Sequence, residues 1–361
     1  MFVDVRTLPP GVPVQICGYG FDGLPEEYRF DNATFITDVL SKEGRDQLFQ
    51  DVGQPGMTER ELVAAGIAKF VKETGIESRY MVRRSSDEPN PVAELGFRAA
   101  RMALKDSGLR EGNLDLMFCA SNTREFGYPS TATRIKKKLG LPMGAYCCDL
   151  QDACQTGAAV LFTGWMSVRT GASRMTLAIC AEETTRLAPQ EEYKHCNLFG
   201  DGASALLLTP ADLGNDEQFL FFDFDTDTAA IDMIYQTKTG FFQEGPLVHK
   251  YVGEMVAPRI AAALEQANID PAQIDHFIPH QPSGKTIDWL VSRLHRLCPT
   301  FRPEVVRRHV SSRGNMSCAS TGHLLSTLVL DGTIEPDDLV VVYTFGSGIG
   351  IGGYGMRMKR A

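Results

Sequence analysis

A chain of 361 residues exceeds the usual size of one hydrophobic core, and 43% hydrophobic with 22% charged residues describes a globular, enzyme-like protein, excluding a disordered or repetitive one. A net charge of −9 argues against general nucleic-acid binding, and no apolar run reaches the length of a membrane span. Asp4, Arg6 and early prolines stand where a secretory signal would be apolar, so a cytoplasmic location is expected; nine cysteines, an odd number without CxxC spacing, fit reduced thiols rather than disulfides or a zinc site.

After a Pro/Gly-rich entry, a short strand is predicted over 14–18. Leu62, Ile67, Phe70 and Val71 recur at helical spacing until Thr74-Gly75-Ile76, where the glycine suits a helix end. A helix over 91–107 turns Ala93, Leu95, Ala99, Ala100 and Leu104 inward. A strand over 114–120, a helix over 130–139 and a strand over 145–149 then lead to Cys154. Beyond it Ala158, Leu161, Phe162, Trp165, Met166 and Val168 surround most of a helix that Gly171 stops, so this helix is expected to be deeply buried. A strand over 175–180 completes the half.

The second half repeats the plan: helix 248–267, strand 274–278, helix 285–297, helix 318–330 and strand 339–344. Residues 113–121 resemble residues 273–281, and Cys154-Gln-Thr-Gly157 matches Ala319-Ser-Thr-Gly322. This predicts a duplicated α/β chain with halves at 1–205 and 206–361 and largely parallel sheets. Ligands in such sheets collect at strand C-terminal ends, where the two halves converge.

A free cysteine is ordinarily a small core hydrophobe, a histidine at a strand end a satisfied polar group, and an asparagine after glycine a turn residue. Cys154, His280 and Asn315 nevertheless fall at corresponding strand ends of the two halves. Cys154 also lies at the head of a helix, where the macrodipole and free N–H groups favour thiolate.

His280-Gln281, Gly314-Asn315-Met316-Ser317-Cys318-Ala319-Ser320, Phe199-Gly200-Asp201-Gly202-Ala203 and Phe345-Gly346-Ser347-Gly348 resemble the thiolase superfamily, and within it the β-ketoacyl-acyl-carrier-protein synthase III branch. Thr74-Gly75-Ile76 and Tyr128-Pro129-Ser130 fit the same pattern, which covers nearly the whole chain from about residue 70. The resemblance implies a duplicated five-layer αβαβα fold and a Cys154, His280, Asn315 catalytic set. Cys154 would take an acyl group from a thioester, with backbone N–H groups of Cys154 and about Gly348 holding the oxyanion. His280 and Asn315 would stabilise the enolate left when a malonyl thioester loses CO2. The alternative is acyl transfer from Cys154 to an alcohol or amine; a degenerate, inactive interaction protein is the remote third. The partners implied are acyl-CoA or an acyl carrier protein and a second copy of the chain, with no metal or other cofactor, no nucleic acid and no membrane.

The same likeness implies that Tyr128 crosses a dimer interface to close the acyl pocket of the other protomer. Lys285 occupies the place of an arginine that contacts the carrier arm. Arg313 belongs to a basic group with Arg293, Arg296, Arg302, Arg307 and Arg308 that could steer phosphates or an acidic carrier; a solvated face is the plainer reading. Phe199-Gly200-Asp201-Gly202 reads as a structural turn. Departures from the family pattern are Ser283 where an asparagine is usual, Asp152 and Gln155 around Cys154, and a long segment between Tyr28 and Thr74. Asp152, if close, would oppose a thiolate.

Overall fold

The computed structural model describes residues 1–82, 91–211, 217–237 and 240–359. Ten strands form two five-stranded sheets: β1 (Phe2–Asp4), β2 (Val14–Phe21), β3 (Leu116–Ala120), β4 (Tyr146–Leu150), β5 (Thr176–Glu182), β6 (Gly202–Pro210), β7 (Phe219–Thr226), β8 (His276–Pro279), β9 (Leu339–Gly346) and β10 (Gly350–Arg357). The first sheet runs β2-β6-β5-β3-β4 and the second β1-β7-β10-β9-β8. Helices of eight residues or more are α1 (Lys42–Val52), α2 (Glu59–Thr74), α3 (Pro91–Ser107), α4 (Thr131–Lys138), α5 (Thr156–Arg169), α6 (Ala257–Gln266), α7 (Gly284–Leu297) and α8 (Ala319–Leu330).

Period-two alternation on the central strands sorts side chains between layers. Phe118 and Ala120 of β3 and Val340 and Val342 of β9 face a middle layer, where they pack with Leu161 and Trp165 of α5 and Leu325 and Val329 of α8. Met117 and Cys119 face outward onto Ala99 and Ala103 of α3, while Val341 and Tyr343 pack on Ile260 and Leu264 of α6 and Leu290 of α7. The result is the expected five-layer αβαβα arrangement. Burial of a single large apolar side chain contributes about 1.5–3 kcal/mol, so the shared middle layer couples the halves strongly.

Two expectations are corrected. The sheets are mixed: β3 pairs in parallel with β4 and β5, and β8 with β9, but the other pairings are antiparallel. The cause is visible at β9 and β10, joined through Ser347–Ile349, too short a link for a parallel crossover. A boundary at 205/206 also falls inside β6, which completes the first sheet, while β1 crosses to pair with β7 in the second.

The predicted helices otherwise stand close to their places. α2 begins at a Thr58–Glu61 capping box and ends at Gly75, whose φ of 72° only glycine adopts easily. Helix 248–267 is a continuous run of three pieces, Gly245–Tyr251, Val252–Val256 and α6. α5 is less enclosed than expected, because Met166 is exposed beside buried Trp165.

Candidate active site

β4 ends at Leu150, and the chain turns through Asp152 and Ala153 before α5 begins at Thr156. Ala153 has φ 50°, held there by Thr156, whose hydroxyl accepts from Asp152 N at 2.7 Å and donates to Ala153 O at 2.6 Å. Cys154 follows, just outside the helix. Desolvation pushes its thiol up to about 12; the Ser317 hydroxyl, 3.5 Å from Sγ, opposes that rise, and the nearby Glu182 carboxylate adds to it. The expectation of a dipole-generated resting thiolate is therefore reversed: burial outweighs the helix end. Asp152 is exposed and is not among the groups acting on the thiol; the opposing charge is Glu182, fully buried at the end of β5.

His280 leaves the end of β8, with its N–H donating to Tyr343 O at 2.6 Å and its ring edge-on to Phe345 at 5.1 Å between centroids. It is 3% exposed, and desolvation alone lowers its pKa to about 3, so the imidazole is neutral at ordinary pH. Gln281 is a buried clamp: Nε2 donates to Pro279 O, and Oε1 accepts from His309 and Val310 N–H groups. Ser283, where an asparagine was expected, caps α7 by accepting from Thr286 N.

Gly314, at φ 71°, lies so close to Phe199 and Gly200 that a Cβ would meet Gly200 N and Phe199 C and O at 3.0 Å each. That approach lets Asn315 N donate to Leu198 O at 2.8 Å and its carbonyl accept from Gly200 N at 3.1 Å. Asn315 Oδ1 accepts from Ser317 N at 2.8 Å, which turns the amide NH2 toward other acceptors. Asp201 accepts from Val82 and Thr185 N–H groups, as a structural turn residue should.

Cys154, His280 and Asn315 line one cavity of about 340 Å3, together with Ser317, Gly346 and Ser347. Its apolar wall includes Leu187, Leu198, Phe199, Phe241 and Val248, and Gln151, Gln236, Gln243 and His249 supply polar lining. Gly346, rather than Gly348, touches the cysteine: a Cβ at 346 would sit 2.7 Å from Cys154 N and 3.0 Å from Cys154 Cβ. Gly348, φ 117°, lies inside the Ser347–Ile349 turn but outside the cavity lining, which Gly346 and Ser347 supply instead. Gln155 braces that loop, its buried Nε2 donating to Ser347 O at 3.4 Å.

The peripheral residues are not brought into this cavity. Lys285 is exposed and lines a separate surface depression with Lys72, Asp288 and Arg308. Arg313 turns inward, 3.9 Å from the fully buried Asp22 carboxylate and stacked over the Tyr80 ring at 3.8 Å. It is consumed by the core and does not present a basic surface. Arg307 and Arg293 are half-buried and donate to His276 Nδ1 and Gly253 O, while Arg302 is exposed and donates to Ile274 O. Tyr128 is 90% exposed and away from the cavity of its own chain. Sequence reasoning assigned no role to Glu182, Asn122 or Ser317; Ser317 had a signal, its place two residues after Asn315, but Asn122 and Glu182 are joined to the site only by folding.

The family described as 3-oxoacyl-[acyl-carrier-protein] synthase III matches residues 148–228, and its C-terminal part matches residues 264–358. A β-ketoacyl-[acyl-carrier-protein] synthase III of Brucella suis is 31% identical over 290 residues, covering 77% of this chain and 87% of the relative. Among solved structures, the 3-oxoacyl-[acyl-carrier-protein] synthase III of Aquifex aeolicus superposes with a TM-score of 0.80 at 22% identity, covering 96% of this chain and all of the other. The priming β-ketosynthase of the R1128 polyketide pathway gives 0.79 at 23% identity, with 98% of each chain covered.

Proposed function

Because the chain belongs to the β-ketoacyl-[acyl-carrier-protein] synthase III family of acyltransferases, we propose that it performs a decarboxylative Claisen condensation at Cys154, His280 and Asn315. The observation that carries this reading is their convergence on one cavity with the Gly346 loop.

In the first step Cys154 Sγ attacks an acyl thioester. The thiol proton passes by way of neutral His280 to the departing thiolate, and the acyl group stays on Cys154. The oxyanion is held by backbone N–H groups at Cys154 and the Gly346-Ser347 turn. In the second, a malonyl thioester loses CO2 and the C–C bonding electrons form an enolate. Its oxygen accepts hydrogen bonds from neutral His280 and the Asn315 NH2. The enolate carbon then attacks the acyl carbon, releasing a β-ketoacyl thioester and the Cys154 thiolate, which takes a proton from solvent to restore the thiol. Oδ1 of Asn315 is already engaged by Ser317 N, so the side chain faces the enolate as a donor. His280→Ala or Asn315→Ala should lower condensation by about 10²–10³-fold while leaving acylation of Cys154 measurable. Rapid-quench assays of the two half-reactions check this.

The apolar wall at Leu187, Leu198 and Phe241 favours an alkyl acyl group, delivered by coenzyme A or an acyl carrier protein. A homodimer is part of the proposal. β4 is the open edge of its sheet, and Tyr146 is 64%, Met143 98% and Tyr128 90% exposed near it.

Intact-mass analysis after exposure to a panel of acyl-CoAs tests the acyl-enzyme. An adduct absent from Cys154→Ala supports it, and no adduct on the native protein, or one persisting in the variant, overturns it. An adduct discharged only by an alcohol or amine would replace condensation with transfer to oxygen or nitrogen.

A further inference from the structure

The nucleophile is tied to a buried polar chain that the condensation steps above do not use. Ser317 Oγ lies 3.5 Å from Cys154 Sγ and 3.2 Å from Asn122 Nδ2. The same Asn122 amide donates to Glu182 Oε1 at 2.8 Å and to Ala153 O at 3.1 Å, the carbonyl of the residue before the nucleophile. Glu182, 0% exposed, also accepts from Asn122 N at 3.0 Å, Thr123 Oγ1 at 2.7 Å and Cys318 Sγ at 3.0 Å.

The direction of these bonds follows from the donor inventory. A carboxylate surrounded by donors is an acceptor, so it fixes Asn122 with its NH2 toward Ala153 and Ser317. The two Asn122 hydrogens are shared among three oxygens, so the direction at the sulfur follows from the sulfur itself: once Cys154 loses its proton Sγ can only accept, and the Ser317 hydroxyl is the donor in that contact. Backbone conformation supports a built arrangement: Ser317 and Ala153 both hold positive φ, 49° and 50°, on either side of this contact. Such non-glycine conformations persist only where the surroundings enforce them.

Resting on the reading of Cys154 as nucleophile, we infer that the Ser317 hydroxyl is a catalytic hydrogen-bond donor to the developing Cys154 thiolate, aimed by Asn122 and Glu182 as positioning residues. Ser317 thereby serves both steps by different atoms. Its hydroxyl meets the sulfur of the first step, and its backbone N–H orients the Asn315 amide of the second. A side-chain truncation separates the two.

The test follows iodoacetamide alkylation of Cys154 against pH, read on the Cys154 peptide by mass spectrometry, in the wild type, Ser317→Ala and Ser317→Gly. Glycine is included because it tolerates the left-handed backbone at 317 and so guards against a folding defect. Losing one hydrogen bond to a charged sulfur should move the profile to higher pH and lower the rate at pH 8 by roughly three- to tenfold in both variants, after allowing for the greater intrinsic nucleophilicity of the more basic thiolate. Profiles superimposed on the wild type in both variants, or shifted to lower pH, overturn the inference. Failure of the wild type to accept an acyl group from any thioester would instead overturn the nucleophile reading, and the alkylation profiles would still decide the hydrogen bond.

Discussion

Burial raises the Cys154 thiol to about 12, and the Glu182 carboxylate adds to that rise while Ser317 and the residue's own N–H act against it. Removing the carboxylate charge in Glu182→Gln should lower the thiol pKa. Alkylation of Cys154 then becomes faster at pH 8; an unchanged or slower reaction would show that Glu182 acts only through its hydrogen bonds. The histidines set a second pH effect. His280 falls from 6.5 to about 3, and His309 and His276 also lie below 6.5, all chiefly by desolvation. Their unfolded forms take up protons below about pH 6.5 while the folded forms resist, so at these sites unfolding binds protons and their contribution to stability is lost as pH drops from 6.5 toward 3. Asp201, pushed up to about 7 by burial, acts in the opposite sense over the same range, so the histidine contribution is read by comparing the change in urea midpoint between pH 7 and pH 4.5 in the wild type and in His280→Phe. Acidification should cost the wild type more stability than it costs His280→Phe; an identical change in the two would contradict a neutral buried His280.

At the scale of elements, the two loops that meet at Cys154 depend on contact between backbones. Gly346→Ala would push a methyl to 2.7 Å from Cys154 N and 2.6 Å from Gln155 Oε1. It should cost about 1–3 kcal/mol in denaturant titration and slow acylation of Cys154, because the turn must retreat from the sulfur. Unchanged stability and acylation would mean that the loop has slack which the geometry does not suggest. These elements were largely legible. The 3.6-residue period marked α2 and α3, apolar residues around most of the circumference marked α5, and Gly75 and Gly171, both at positive φ, marked helix ends. Strand direction was not legible, since a run such as Leu339–Gly346 has the same pattern whether its neighbours run with it or against it. Only the short Ser347–Ile349 link decides β10. Nor does local pattern show that β6 extends past residue 205 or that β1 joins the far sheet, because both depend on long-range pairing.

For the whole molecule, duplication made Cys154 and His280 readable, since each follows a strand end that opens on a common cavity; Asn315 reaches that cavity from no strand, but from an isolated bridge to Phe199 after the short helix Val310–Arg313 and Gly314. Charge alone misled at Arg313: sequence cannot tell a guanidinium stacked on Tyr80 in the core from one on a docking face. The open β4 edge, with Tyr146 and Met143 exposed, should pair with a second copy. Light scattering should give about twice the 39.7 kDa chain mass, and Tyr146→Asp should shift the population toward monomer; a fully active monomer would contradict the pairing. The central claim is tested most directly by one reaction: acyl-Cys154 enzyme mixed with a malonyl thioester labelled at the free carboxylate. The account predicts stoichiometric labelled CO2, loss of the adduct and a β-ketoacyl thioester two carbons longer than the acyl group. Loss of the adduct without CO2 release would contradict it.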